Sequence, residues 1–168
     1  MNKLLRILRH RWLDERDARR ALGAGGLKHI EARVAASERH HSGEIRVCVE
    51  SGLPLSYLWR NASARERAVA MFGKLRVWDT ETNNGVLIYL LLAERRIEIV
   101  ADRGLNVHVN AQQWQQITGT MRDAFQAGRF EAGLNLAIDA VDALLLQHFA
   151  TNEAQANPNE LPNAPYLR

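Results

Sequence analysis

The densest cluster of oxygen-bearing side chains in the sequence is Asp79-Thr80-Glu81-Thr82-Asn83-Asn84-Gly85. Hard cations such as Ca²⁺ and Mg²⁺ take carboxylate, amide and hydroxyl oxygens of this kind as ligands. The spacing resembles the opening of an EF-hand loop and then departs from it. Gly85 stands one place late, and Leu90 occupies the position of the closing bidentate glutamate. A phosphate-transferring Asp-x-Asp motif is broken as well, because Glu81 holds its second place. The plainer reading is an Asx-rich turn that feeds a buried strand.

Two further carboxylates join this cluster if strands follow the hydrophobic pattern. Ile45, Val47 and Val49 alternate with Arg46, Cys48 and Glu50, which is the period of a strand with one more polar face. Gly85 to Ala93 is a continuous apolar run, read as a strand buried on both faces. Arg96 to Ala101 alternates again and reads as the return strand of a hairpin. A hairpin puts Asp102 beside the start of the apolar strand, and a parallel first strand brings Glu44 to the same end. The candidate metal ligands are therefore Asp79, Asn84, Asp102 and Glu44, with Ca²⁺ or Mg²⁺ as the cation. Glu44 and Asp102 have a bland alternative as strand-end polar residues.

No catalytic residue stands out. Cys48 lacks the arginine of a Cys-x5-Arg phosphatase loop, since Pro54 is there, and in mid-strand it reads as a small buried hydrophobe. His40 and His41 belong to no His-Glu-x-x-His pattern and suit a helix C-terminus. Gly23, Gly25 and Gly26 follow a helix and make no dinucleotide fingerprint. A Walker lysine motif is also missing. The chain reads as a non-enzymatic or weakly enzymatic interaction or divalent-cation-binding module; the competing reading is a weak metal-dependent phosphatase-like hydrolase.

The elements that would position these residues run α-α-β-α-β-β-α-α. Residues 2–20 read as one amphipathic helix, with Met1, Leu4, Leu5, Leu8 and Trp12 on one stripe. A helix at 27–40 follows, with Leu27, Ile30 and Val34 inward. Ser63 and Glu66 form a capping box that opens a helix at 64–75 with Val69 and Phe72 inward. Asn110 and Gln113 open 111–126, where Trp114, Ile117, Met121 and Phe125 share a face. The last helix, 130–149, carries Leu134, Ile138, Val141 and Leu145. The fold class expected is α/β: a small mixed sheet flanked by helices. The expected divisions are a basic helical extension and Gly linker at 1–26, an α/β domain at 27–149, and an extended Asn/Pro-rich tail at 150–168.

Charge is unevenly spread. Seven of the 22 Lys/Arg but only three of the 19 Asp/Glu lie in residues 1–20, so the remainder is nearly neutral. Packing of the apolar stripe on the α/β body is the expected fate of this segment. The alternative is contact with an anionic membrane. One cysteine excludes an internal disulfide, no apolar run approaches the roughly 20 residues of a membrane span, and the N-terminus does not read as a signal peptide. A soluble, cytoplasmic protein with an unidentified protein partner and no specific nucleic acid is expected.

Several segments in order resemble the TPM-domain family: His41-Ser-Gly-Glu-Ile45, Val77-Trp-Asp-Thr80, Asn83-Asn-Gly-Val-Leu87, Arg96-Ile-Glu-Ile-Val100, Gly104-Leu105 and Phe130-Glu-Ala-Gly133. The tail Asn159-Glu-Leu-Pro162 is similar to that of short cytoplasmic members. The resemblance implies an αβα sandwich. Phosphatase activity and divalent-cation binding are ascribed to particular members, photosystem II repair or receptor accessory roles to others. The family's Gly-Tyr-Gly-Leu-Glu motif reads Asp102-Arg103-Gly104-Leu105-Asn106 here, so its glutamate becomes Asn106 while a carboxylate enters at Asp102. Glu44 stands where the family has glutamine.

Overall fold

The computed structural model describes residues 3–151 and 158–168. The alternating segment Ile45–Glu50 forms β1, and the apolar run supplies β2, Val86–Leu91. They pair in parallel, from Ile45 opposite Val86 to Glu50 opposite Leu91. Arg96–Ala101 forms β3 and returns antiparallel to β2 after a 3₁₀ turn at Leu92–Glu94, with Arg95 in the left-handed region at φ 50°. The small mixed sheet and flanking helices are those expected. One strand is additional: Tyr166–Leu167 forms β4, parallel to the free side of β1, giving the order β3-β2-β1-β4. Two residues carry no periodicity, so this strand is invisible in the sequence. Of the tail read as extended, residues 152–157 lie outside the described residues, as does Met1 of the N-terminal stripe.

The helix expected over 2–20 is two helices, α1 at Lys3–Arg11 and α2 at Glu15–Leu22. The break is a capping box at Asp14, whose carboxylate accepts from the Arg16 and Asp17 amides while Asp17 reaches back to the Asp14 amide. Gly25, at φ 88°, turns the chain into α3, Gly26–Ser37. The loop after β1 contains α4, Leu55–Trp59. Ser63 caps α5, Ala64–Lys74, as its spacing predicts. Asp102 caps the short α6, Arg103–Asn106. Asn110 caps α7, Ala111–Gln126, and α8 runs Phe130–Phe149. Among the described residues, no helix is long and apolar enough to cross a membrane.

Each face of the sheet has its own core. Ile45, Val47, Val86, Ile88 and Leu90 pack with Ala18, Leu22, Ile30, Val34, Met121, Phe125 and Ile138 from α2, α3, α7 and α8. Leu87, Tyr89, Leu91 and Cys48 pack with Leu58, Ala64, Ala68, Met71 and Leu161 on the other side. The inward face of α5 is thus Ala68 and Met71. Phe72 packs half-buried against this core as the periodicity predicts, whereas Val69 is exposed, because the buried face is centred on Ala64, Ala68 and Met71 and Val69 falls well round the helix from it.

The polar face of β1 is buried too. Glu50 is fully enclosed, and its two carboxylate oxygens accept from Arg67 Nη2 at 2.6 Å and Nε at 2.8 Å. Tyr89 donates its hydroxyl to the same carboxylate at 2.8 Å. The Tyr57 ring lies 5.0 Å from the Arg67 guanidinium. A bidentate, fully hydrogen-bonded pair is the geometry that offsets the desolvation of both ions.

The first helix packs opposite to expectation. Arg6 donates to Glu94 at 2.8 Å, to Asn61 Oδ1 at 2.9 Å and to the Ala62 carbonyl at 2.7 Å. Buried His10 accepts the Leu53 amide at Nδ1 (2.9 Å), which leaves Nε2 to donate to Glu94 at 3.1 Å. The hydrogen bond from His10, then those from Arg6, hold the Glu94 carboxyl down at about 2. Leu4, Leu5, Leu8 and Trp12 face solvent, and of the apolar residues of this helix Ile7 packs against the core. The stripe does not pack on the α/β body: the half-buried carboxylate of Glu94 selects the charged side of the helix instead.

Replacing Arg67 by Ala strands the Glu50 carboxylate in the core. Urea denaturation should show a loss of about 3–5 kcal/mol. A Glu50→Leu/Arg67→Leu double replacement should lose less than the single one, since no buried charge is left behind.

Candidate functional site

The strand ends place two of the candidate ligands, Glu44 and Asp102, on one backbone rung beyond the sheet. The Glu44 carbonyl accepts from Val86 N at 2.8 Å, and Asp102 N donates to the Gly85 carbonyl at 2.9 Å. Glu44, Gly85 and Asp102 therefore lie side by side across β1, β2 and β3, with Asn84 one residue earlier in the chain. Asp79 is apart from them in its bonding. It is exposed, and its carboxylate makes no hydrogen bond or ion pair among the described residues. Its neighbour Thr80 shapes the loop, accepting from Asn84 N at Oγ1 (3.1 Å) and from Asn83 N at its carbonyl (3.2 Å). The Asx-rich turn that feeds a buried strand is present as read.

Close backbone contact seats this loop on the sheet. A Cβ on Gly85 would stand 1.9 Å from the Val77 carbonyl oxygen, and one on Gly104 would stand 2.4 Å from that of Asn83. Gly104 N donates to the same Asn83 carbonyl at 2.9 Å. Neither position has room for a side chain.

Each of Glu44, Asn84 and Asp102 uses one polar atom and leaves one oxygen over. Glu44 Oε2 accepts from Leu161 N at 3.0 Å, Asn84 Nδ2 donates to Ser42 Oγ at 3.1 Å, and Asp102 Oδ1 accepts from Arg103 N at 2.7 Å. Glu44 Oε1, Asn84 Oδ1 and Asp102 Oδ2 are buried with no hydrogen-bond partner. An unsatisfied buried acceptor costs about 1–3 kcal/mol. Among the described residues, no three His, Cys, Asp or Glu side chains gather as a metal cage. Two carboxylates and an amide suit a hard cation that completes its shell with carbonyls and water, and exclude the nitrogen and sulfur set of a structural zinc site.

The tail contributes residues that sequence reasoning missed. Glu160 accepts from Glu81 N at 3.0 Å while Leu161 N meets Glu44, so residues 160–161 tie the 79–84 loop to the start of β1. Burial raises the Glu44 carboxyl above its ordinary value; the Glu160 charge adds to this, and the backbone amides of Leu161 and Glu160 oppose it. Glu38 accepts from Ile45 N at 2.8 Å and is pushed up to about 8, chiefly by burial, with the Glu44 charge adding. Nothing in the spacing of Glu38 or Glu160 marks them in advance, because their partners come from other elements.

The remaining candidates are structural. Asn106, at the place of the family's glutamate, donates to the Ala101 carbonyl at 2.6 Å and accepts from Trp114 Nε1 at 3.2 Å. Cys48 is buried and its thiol is pushed up by that burial, so it is no nucleophile. His41 is buried between Ser37 and Asp142, and burial lowers its pKa.

The sequence pattern described as the TPM domain matches residues 16–144. No curated protein matches the chain. The fold is similar to the NMR structure of the BA42 protein from the psychrophilic bacterium Bizionia argentinensis, with a TM-score of 0.72 and 27% identity over 85% of this chain and 93% of that one. It is also similar to the solution NMR structure of the N-terminal domain of a P. gingivalis protein, with a TM-score of 0.62 and 21% identity over 79% of this chain and 85% of that one.

Two outcomes follow from this geometry. Gly85→Ala forces a methyl into the Val77 carbonyl and should lower stability by about 3 kcal/mol in a denaturant titration. The second concerns pH. Glu38 has a folded-state pKa of about 8 against an ordinary 4.5, so the folded chain holds the extra proton in that window. Stability must therefore fall as pH rises through it. His41, lowered from 6.5, acts with the opposite sign but only below that value. The melting temperature should consequently drop from pH 7 to about 8 in the wild type, and a Glu38→Gln variant should be flat there.

Proposed function

The chain belongs to the TPM-domain family, and we propose that it serves as a binding module rather than a hydrolase, taking one divalent cation at the end of its sheet. The observation that carries this reading is the set of three buried oxygens without donors, Glu44 Oε1, Asn84 Oδ1 and Asp102 Oδ2. A cation there would neutralise Glu44 and Asp102 and satisfy all three acceptors. Ca²⁺ suits the place better than Mg²⁺, because it accepts irregular geometry and mixed carbonyl, carboxylate and water ligands. With two carboxylates, affinity falls in the roughly 10⁻⁴–10⁻³ M range of weak sites. Asp79, outside the buried set, would serve as an outer carboxylate of the same loop. A cytoplasmic setting belongs to the proposal, since the lone buried thiol of Cys48 needs no oxidising compartment.

The hydrolase reading lacks support of this kind. A metal-dependent phosphatase needs a cation that polarises the phosphoryl oxygen and activates water, with a cationic group to meet the leaving charge. Arg103, the nearest candidate, is engaged by Asn83 Oδ1 at 3.2 Å.

An NMR titration with millimolar Ca²⁺ should shift the amides of residues 44, 79–85 and 102–106, and Asp102→Asn should weaken the response at least tenfold. Unmoved resonances at those positions would rule out the cation site. On a small phosphate ester with Mg²⁺ or Ca²⁺, turnover should not exceed that of an Asp79→Ala/Asp102→Ala variant. Robust turnover abolished by that pair would replace the binding reading with the hydrolase.

A further inference from the structure

Charge docks α1 to the body, and its apolar side is left in water. Leu5 is 60% exposed, Leu8 54% and Trp12 85%, with Leu4 beside them at 69%. At 100° per residue these positions form one band, and Arg9 and Arg11 fall on its two flanks. Both arginines are exposed, and neither makes an ion pair among the described residues. Below the band, a cavity of about 650 Å³ opens between α1, α2 and the turn after β2. Leu5, Leu8, Trp12 and Phe130 line it, together with Arg20 and Arg95.

This arrangement does not serve the stability of the domain. Arg6 and His10 hold the helix, and they would do so with polar residues at positions 5, 8 and 12. An apolar band edged by cations is the pattern of a helix lying in the plane of a bilayer interface. An exposed tryptophan suits the headgroup level, where one end of its ring system is wet and the other apolar. Charge also selects the occupant. Residues 1–20 hold seven Lys/Arg and three Asp/Glu, while the rest of the chain is nearly neutral. A second copy stacked on this face would set Arg9 and Arg11 against their own duplicates, whereas lipid phosphates complement them.

We propose that the outward face of α1 is a docking surface for an anionic phospholipid bilayer. Leu5, Leu8 and Trp12 enter the boundary between headgroups and acyl chains, the cavity receives part of an acyl chain, and Arg9 and Arg11 meet the phosphates. The domain is then held at the membrane by one face. This surface is separate from the strand-end carboxylates, so it stands whether or not they bind a cation.

Sedimentation of the full chain with vesicles tests it. The protein should pellet with phosphatidylcholine–phosphatidylglycerol vesicles, stay soluble with phosphatidylcholine alone, and be released by added salt. Leu5→Ser/Leu8→Ser and Arg9→Glu/Arg11→Glu should each reduce the bound fraction at least about tenfold. Because both pairs are exposed, melting temperatures should stay at the wild-type value, which separates lost docking from lost folding. No pelleting with anionic vesicles, or pelleting that neither pair of substitutions alters, overturns the proposal. A dimer in solution that Leu5→Ser/Leu8→Ser dissolves also overturns it, and assigns the face to a second copy.

Discussion

All six residues of β2 are apolar and buried, on both faces of the sheet. A strand of that composition is stable only if a layer covers each side. The parallel partner β1 and the antiparallel partner β3 fix its backbone. The helices must then divide, with α2, α3, α7 and α8 on one face and α4 and α5 on the other. The positions of the strand ends follow from the same constraint. Once β1 and β2 are in register from Ile45 opposite Val86, the residue before β1 and the residue after β3 have to sit beside Gly85. The rung of Glu44, Gly85 and Asp102 is thus a by-product of burying one apolar strand, and the two glycines keep its loop pressed close.

The less apolar face of the sheet is stabilised differently. Arg46, Cys48 and Glu50 alternate outward from the main core, yet all three are buried. Glu50 is matched by Arg67 and Tyr89, Glu44 by the backbone of residue 161, and Arg46 by the carbonyls of Pro162 and Ala164. Charged residues are admitted because the covering elements bring a partner for each. The tail is one of those elements, and it joins the candidate site to the free side of β1.

What could be read in advance was what is local. Strand periodicity, the Ser63–Glu66 and Asn110–Gln113 boxes and the inward stripe of α8 depend on neighbours within one element, and the structure has all of them. That Glu44 and Asp102 flank Gly85 was legible because strand ends follow from strand pairing. The orientation of α1 was not. Amphipathicity tells which sides of a helix differ, and the side that docks is decided by Glu94, 88 residues from Arg6 along the chain. Asp14 and Asp17 do form a capping pair in sequence, but an aspartate in place of the usual Glu or Gln hid the break. Glu160 and β4 gain their roles from distant segments and Glu38 from the start of the next strand, so no pattern within one element marks them.

The pairing of β1 has a consequence for the order in which the chain folds. The β2–β3 hairpin and the packing of α7 on α8 join segments that are close in sequence, so their loop-closure cost is small. β1 finds β2 across a whole intervening helical segment, and its other edge waits for a partner more than a hundred residues away. Until that partner arrives, β1 presents an open row of amides and carbonyls, the kind of edge on which partly folded chains aggregate. Arg46 lies on that edge, and before its carbonyl partners are in place it is an unmatched cation. The residue that looks least suited to a buried strand is therefore the one that discourages pairing with another chain before the tail docks.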